Sequence, residues 1–276
     1  IRDRSPSRGL GDVYKRQLDA YPIQDIQSPT AQALVAKCRQ DLDKNALCTL
    51  EDFVSPEALM AMKTEIDGLL NSAYRAEHER TPYSSRYNLD FPDGHPRRAL
   101  HLNRYGYLLY DQLKKTALIS QLFEWAPLTE FVRQVLGFET LYRTADPYLS
   151  IVVNIMQPGD ELAWHFDTND GVVSLMLQPA DEGGHFEYAP YIRDEVDENY
   201  GGIQELFEGS SSLAVSTSNR GWYFCVVQRS ALLSQSDTNR TNHPPESKYP
   251  LQFRRTTGHG FFRGEPNGKD PTEIGC

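Results

Sequence analysis

The sequence lacks the features that mark several large classes of protein. It has only four cysteines in 276 residues, and none forms a Cys-x-x-Cys pair, which argues against a zinc cage or a disulfide framework. No apolar run approaches the roughly 20 residues that a membrane span requires, and the first residues lack a charged and then apolar signal pattern. We therefore expect a protein of a reducing, cytoplasmic compartment with no membrane contact.

Basic side chains are scarce in the central part of the chain. Residues 18–218 carry 15 basic and 31 acidic groups, a net charge of −16, although both ends of the chain are weakly basic. An acidic surface repels phosphates, and no basic stripe interrupts it, so we expect no nucleic-acid partner. The length and composition fit one compact domain with unusual ends.

Residues 28–137 predict a helical layer. Ser28-Pro29 and Ser55-Pro56 each combine a capping serine with a proline at the first helical position. A third helix is predicted from Leu118 to Leu136, and Pro127 is expected to kink or divide it. These helices are interpreted as scaffold.

From residue 139 the character of the sequence changes to that of short strands. Runs rich in Tyr, Val, Ile and Leu are separated by turn residues, namely ETLYRT, YLSIVVNIMQ, VVSLMLQ and HFEYAP. The predicted fold class is therefore α+β, with a β-sandwich or jelly roll over residues 139–218 that packs on the helical layer.

One short segment carries the candidate chemistry. If residues 164–167 run as a strand, the pleat places His165 and Asp167 on one face, and Phe166 points the other way. An imidazole and a carboxylate can then converge on one cation, and with a second distant histidine they make the 2-His-1-carboxylate face that holds ferrous iron. A bare His-x-Asp arises often by chance, and a surface ion pair is the commoner explanation.

The wider pattern resembles a known family. N-x-M-x-P-G-D-x-L-x-W-H-F-D, followed by L-x-L-Q-x-x-x-x-G-G-x-F-E-Y-x-P-x-I-R and D-E-N-Y, is similar to the Fe(II)/2-oxoglutarate-dependent oxygenases, and within them to the free-amino-acid hydroxylases and halogenases. The resemblance implies a cupin-like double-stranded β-helix with iron at His165 and Asp167. It also implies 2-oxoglutarate and O2 as co-substrates, and hydroxylation of an unactivated C–H bond in a small molecule, by expectation a free amino acid.

Asp167 bears on the choice between hydroxylation and halogenation. In this family a halogenase places a small residue at the carboxylate position, which frees an iron site for chloride. The presence of Asp167 therefore favours hydroxylation. Two further alternatives stay open: a non-catalytic jelly-roll module in which His165 and Asp167 form a structural hydrogen bond, and a zinc or manganese cupin-like isomerase.

Other polar residues have two interpretations each. Asn154 either contacts 2-oxoglutarate or is a buried amide that ties strands together. Arg97, Arg98 and Arg104 either clamp a substrate carboxylate or lie solvated over a helix. The acidic run 194–198 is interpreted as a solvated loop, with recognition of a cationic substrate as the alternative.

The two ends do not match the oxygenase domain expected at residues 18–218. Residues 1–17 have no helical or strand period and resemble translated sequencing-adapter sequence, so they are expected to be a non-native or disordered leader. Residues 219–276 are rich in Ser, Thr, Asn, Arg and Pro and are expected to be a poorly ordered tail.

The tail also lacks the family's closing strand, F-x-G-R-x-S-x-H-R-V-T-P, whose histidine is the third iron ligand. Read one base out of frame, residues 226–239 permit L-F-x-G-R-x-S-x-H-R-V-T-P, with the histidine across Ser234 and Gln235, and residues 252–260 permit S-F-D-E-x-P-G-M. We hypothesise a single-base slip near Asn219. The literal chain is then expected to be weakly active or inactive, because two protein ligands hold iron less firmly than three.

Three other histidines could substitute for the missing ligand. His185 is expected on the strand after the Gly-Gly turn, whereas His243 and His259 lie in segments with no strand pattern. A solvated or hydrogen-bonded role is favoured for each of them.

Overall fold

The structure is a computed structural model that describes residues 20–83, 88–167, 171–180 and 183–209, and five short strands farther along the chain. The predicted leader, residues 1–17, lies outside the described residues. Of the predicted tail, four strand segments are described, and within them the side chain of Val226 alone.

The described residues contain five α-helices. They are α1 (Pro29–Asn45), α2 (Pro56–Asp67), α3 (Leu118–Glu124), α4 (Ala126–Leu136) and α5 (Tyr200–Phe207). The hydroxyls of Ser28 and Ser55 accept hydrogen bonds from backbone N–H groups of α1 and α2, as the serine-proline pairs predict. The predicted third helix is divided at Trp125, and Pro127 lies in the first turn of the second half.

Three antiparallel sheets are formed by the described strands. The strands are β1 (Leu47–Glu51), β2 (Tyr74–Arg80), β3 (His101–Leu109), β4 (Leu141–Arg143), β5 (Val152–Ile155), β6 (Leu162–His165), β7 (Gly171–Met176), β8 (Phe186–Ala189), β9 (Val215–Ser216), β10 (Tyr223–Gln228), β11 (Leu232–Gln235), β12 (Leu251–Arg254) and β13 (Phe261–Arg263). The large sheet has the order β1-β10-β7-β12-β5-β3-β2, the second β6-β11-β8-β9 and the third β13-β4.

The predicted helical layer over residues 28–137 is wrong in part, because this segment also supplies β1, β2 and β3. Their tertiary pairing decides their structure: β3 pairs with β2 over its length and with β5 over its second half. Of the three arginines weighed over a helix, Arg104 lies on strand β3, whereas Arg97 and Arg98 lie in the turn that precedes it. Helix α5 was also not predicted.

The two faces of the large sheet have different roles. Val153 and Ile155 of β5 are buried in the main core, which the helices α1 to α4 complete. The alternate residues Val152 and Asn154 project from the opposite face, where Val152 lines a cavity. The helices therefore support β5 from behind and leave its other face available for a site.

The turn that leads into β6 is fixed by charged contacts. Gly159 has a positive φ of 81°, which favours glycine. The buried carboxylate of Asp160 pairs with both terminal nitrogens of Arg75, with 2.6 Å from Nη1 to Oδ2, and Arg104 donates to the Gly159 carbonyl. These contacts hold the start of β6 against β2 and β3.

The described residues bear on two features discussed in the sequence analysis, the cysteines and membrane-spanning segments. Cys38 and Cys48, the cysteines whose side chains are described, are buried free thiols. Among the helices of the described ranges, none has both the length and the apolar character needed to cross a membrane.

Candidate functional site

A cavity of about 290 Å³ is lined by residues of the large sheet and of β6. Its polar wall consists of His78, Arg80, Thr81, Asn103, Tyr105 and Tyr107, and Trp164 and His165 of β6 also line it. The rest of the wall is apolar and comes from Ala76, Leu109, Leu149, Val152 and Leu162. A mixed wall of this size suits one small organic molecule.

His165 is the last residue of β6 and has a defined ring orientation. Its Nδ1 lies 2.7 Å from the carbonyl oxygen of Ala163, so Nδ1 carries the proton and donates to that oxygen. Nε2 then keeps its lone pair. A backbone bond of this kind is how metal-binding histidines are usually oriented.

Asp167 is buried beside His165, immediately beyond the end of β6. The distance from His165 Nε2 to Asp167 Oδ1 is 3.8 Å, which is too long for a hydrogen bond between them. Two atoms that each lie about 2.1 Å from one divalent ion can be at most about 4.2 Å apart. The separation is therefore within the range that two ligands of one metal ion can have, and it is longer than a hydrogen bond between the two side chains.

The described residues contain no group of three His, Cys, Asp or Glu side chains suited to hold a metal ion. His185, one of the three substitutes considered, has an exposed side chain just before β8 and does not complete a site. His243 and His259 lie outside the described residues. Strand β11 of the tail pairs directly with β6, with Leu233 opposite His165.

Asn103 connects β3 to the histidine and was not predicted. Its side chain is buried, and its Oδ1 accepts a hydrogen bond from Ala163 N at 3.1 Å. The carbonyl of the same residue, Ala163, accepts from His165. The contact joins residues 60 positions apart, so local sequence patterns could not reveal it.

Asn154 lies at the centre of the β5 face that is turned from the main core. It is fully buried, and neither its Oδ1 nor its Nδ2 has a hydrogen-bond partner in the described part of the chain. It stands opposite Tyr107, which lines the cavity, although Asn154 itself does not. A buried amide in this state leaves a donor and an acceptor that a ligand can meet.

The described cavity wall contains positive and neutral polar groups and no carboxylate. Burial, and next the charge of Arg80, lowers the pKa of His78, so its imidazole is neutral near pH 7 and can still donate. Such a wall favours a ligand with an anionic group.

The three arginines considered as carboxylate clamps do not line this cavity. Arg97 contacts Glu198 and Tyr200, Arg98 pairs with Asp93, and Arg104 donates to Gly159. All three are engaged in contacts that organise loops and turns, so the clamp interpretation is not supported for any of them.

Comparisons with known proteins identify a family and a fold. The family model named Halogenase D matches residues 30–226, more than half of the chain. No curated protein matches the sequence.

Similar solved structures include the non-heme alpha ketoglutarate dependent epimerase SnoN from nogalamycin biosynthesis, with 11% identity, a TM-score of 0.56, and coverage of 81% of this chain and 80% of that one. A second SnoN structure holds Fe3+ and alpha ketoglutarate.

HygX from Streptomyces hygroscopicus, with nickel, 2-oxoglutarate and hygromycin B bound, has 10% identity and a TM-score of 0.52, covering 79% and 84% of the two chains. A prolyl hydroxylase from Trichoplax adhaerens, in complex with a hypoxia inducible factor peptide, has 11% identity and a TM-score of 0.51, covering 87% and 96%. At these identities the likeness shows a shared fold.

Proposed function

The chain belongs to the Halogenase D family, and from this premise we propose that it is an Fe(II)- and 2-oxoglutarate-dependent dioxygenase that hydroxylates an unactivated C–H bond of a small molecule. The observation that carries the proposal is the convergence of His165 Nε2 and Asp167 Oδ1, 3.8 Å apart, beside a cavity. SnoN and HygX, which share the fold, are solved with a metal and the same co-substrate.

We also infer that the two larger sheets form a double-stranded β-helix. The alternation of sequence-distant strands in both sheets, β10-β7-β12-β5 in one and β6-β11-β8-β9 in the other, supports this inference.

Each site residue has a proposed role. His165 and Asp167 would hold the iron, with the imidazole fixed by Ala163 and the carboxylate supplying negative charge. Asn154 would donate from its amide to a carboxylate of 2-oxoglutarate, which accounts for its burial without a described partner. When bound, iron, 2-oxoglutarate and O2 supply the oxidising power.

Hydroxylation is the proposed outcome, and chlorination is the second candidate. The family match favours chlorination by its name, Halogenase D. Asp167 supports hydroxylation, because its carboxylate, 3.8 Å from His165 Nε2, would occupy the metal site that chloride needs. Incubation with chloride and mass analysis of the product distinguishes the two.

The proposed substrate is a free amino acid or a derivative. Its carboxylate would meet the positive and polar wall formed by His78, Arg80 and the cavity tyrosines. The aromatic rings of Tyr105, Tyr107 and Trp164 give the same cavity a surface that accepts an ammonium group.

The third iron ligand would come from a corrected reading frame after about residue 219. The shifted frame permits a histidine across Ser234 and Gln235, and this position lies on β11, directly beside β6. The pairing supports the proposed slip because a histidine there would be near His165. Stop codons in the shifted frame, or absence of that histidine codon from the nucleotide sequence, would remove the hypothesis.

The test of function uses the frame-corrected protein with ferrous iron, 2-oxoglutarate, O2 and a panel of amino acids. We expect release of succinate together with one hydroxylated product, and loss of both in His165→Ala. Turnover that is unchanged in His165→Ala rejects the assignment. Metal binding without any uptake of oxygen would instead favour the isomerase alternative.

A further inference from the structure

Phe166, the residue between the two candidate ligands, is held on the side of β6 that packs on α5. Its side chain is 3% exposed and lies in a cluster with Ile203 and Leu206 of that helix. Its backbone N–H donates to the carbonyl of Pro82 at 2.8 Å. Its neighbour His165 lines the cavity, whereas Phe166 is not among the residues that line it.

Charged and aromatic groups cover the outer surface of the Phe166 ring. The guanidinium carbon of Arg193 lies 3.7 Å from the ring centre, a close cation–π contact. The Tyr83 ring packs on Phe166 with centres 5.2 Å apart, and Arg97 lies over Tyr83 at 4.1 Å. The phenylalanine is thus enclosed by apolar residues of α5 on one side and by a stack of planar groups on the other.

Glu198 joins the members of this stack. Its carboxylate accepts from Arg193 at 3.2 Å, from Arg97 at 3.3 Å and from the Tyr83 hydroxyl at 3.1 Å. Burial, and next the charge of Glu198, raises the pKa of Tyr83, so the phenol stays protonated and keeps donating. We call Tyr83, Arg97, Phe166, Arg193 and Glu198 the Phe166 cluster.

The burial of the Phe166 ring does not by itself require charged neighbours. A phenylalanine in a core is satisfied by apolar neighbours, whereas partly burying three charged side chains has a desolvation cost. The cluster also draws on three segments that are distant in sequence and closes them around one residue. Any displacement of Phe166 must move the adjacent backbone, and with it the side chains of His165 and Asp167.

We propose that Arg193 and Glu198 are positioning residues, which hold Phe166 and thereby keep His165 and Asp167 aimed at one point. They act through Phe166, because Arg193 lies on its ring and Glu198 binds both Arg193 and Tyr83. The inference rests on the proposed function, because the two residues are held for metal binding. The restraint of residues 162–167 by Arg193 and Glu198 can be tested without metal.

The experiment compares the chain as it stands with Arg193→Leu, Arg193→Lys and Glu198→Gln. Hydrogen exchange of the backbone amides of residues 162–167 is measured without metal, and helix α1 (29–45) serves as the internal reference. Arg98→Lys is the matched control, because Arg98 follows Arg97 in the chain and pairs with Asp93, which is not a member of the Phe166 cluster. Mn2+ affinity is measured in parallel by electron paramagnetic resonance.

We expect Arg193→Leu and Glu198→Gln to raise exchange at 162–167 by about ten-fold relative to α1, and to weaken Mn2+ binding by about ten-fold, as loss of groups that orient metal ligands does. Arg193→Lys keeps the charge but loses the planar stack, so an intermediate effect is expected. Exchange that rises equally in both segments, or does not rise, overturns the proposal. If the parent chain binds no Mn2+, the proposed function fails for this chain, while the exchange result still decides the positioning role.

Discussion

The two sides of strand β6 differ in how completely their side chains are enclosed. On the α5 side, Phe166 is surrounded by Ile203, Leu206 and the planar groups of Tyr83 and Arg193. On the other side, His165 lines the cavity, and its Nε2 lies 3.8 Å from Asp167 Oδ1, too far for a hydrogen bond between them. One side is a closed core, and the other borders the cavity on which the proposed function depends.

The enclosed side bears on how a short strand can fix the direction of its side chains. Strand β6 has four residues and therefore makes few backbone hydrogen bonds to its neighbours. Side-chain contacts must then fix its rotation about its own axis. The Phe166 cluster provides that restraint from behind, and Asn103 provides a second one through the Ala163 peptide. The cavity side is then available for chemistry.

The largest loss of metal binding is expected on the cavity side, for His165→Ala. Removing the imidazole should weaken Mn2+ binding by the chain by at least about 100-fold, because a divalent ion would keep one described ligand instead of two. Titration followed by electron paramagnetic resonance measures this. His185→Ala, which alters an exposed histidine, is the control and should bind like the parent.

Asp167→Gly should have the next largest effect. In the frame-corrected protein we expect the hydroxylation rate to fall by about 100-fold, because both a ligand and a negative charge are lost. Product analysis with and without chloride shows whether the variant hydroxylates or chlorinates the substrate. Unchanged hydroxylation in this variant would show that Asp167 is not a ligand.

Phe166→Ala tests the enclosed side. A cavity in a packed aromatic cluster should reduce the free energy of unfolding by about 3–5 kcal/mol, measured by urea denaturation. Phe166→Leu retains most of the apolar volume and should cost clearly less. Equal, small losses of unfolding free energy in both variants would show that Phe166 is not tightly packed in this core.

Asn103→Leu tests the second restraint on β6. Loss of the bond to Ala163 N leaves a buried donor without its present partner, so a loss of about 1–3 kcal/mol in unfolding free energy is expected. Mn2+ affinity should also fall, by about ten-fold. Affinity equal to that of the parent would confine Asn103 to a structural role.

The smallest effect concerns acid sensitivity near α5. Burial lowers the pKa of His101, whose ring packs on Phe207 with centres 4.5 Å apart. As the pH falls below about 6.5, the unfolded chain takes up a proton before the folded one, so stability decreases. His101→Phe should therefore reduce the difference in melting temperature between pH 8 and pH 5.5. An unchanged difference would assign the acid sensitivity to other groups.

The sequence predicted the helices and strands whose structure depends on interactions between neighbouring residues. Capping serines with following prolines gave the starts of α1 and α2, and Pro127 gave the division of the third helix. Apolar runs gave β5, β7 and β8. Strands β2 and β3 were missed because their structure depends on partners far along the chain.

The candidate site was predictable where adjacent residues form it. The pairing of His165 with Asp167 follows from a two-residue spacing, and Asn154 lies on the face that strand alternation gives it. Asn103, Arg193 and Glu198 could not be found in this way, because each acts through contacts between distant segments. The acidic run, interpreted as a solvated loop, has exposed residues from 194 to 197, whereas Glu198 is drawn into the Phe166 cluster.

The proposed function requires that His165 and Asp167 share one divalent metal ion. Crystals soaked in Mn2+ and measured at a wavelength with manganese anomalous scattering test it most directly. We predict one anomalous peak between Nε2 of His165 and the carboxylate of Asp167, within bonding distance of both. A peak elsewhere, or no peak while the two side chains keep their positions, would contradict the account.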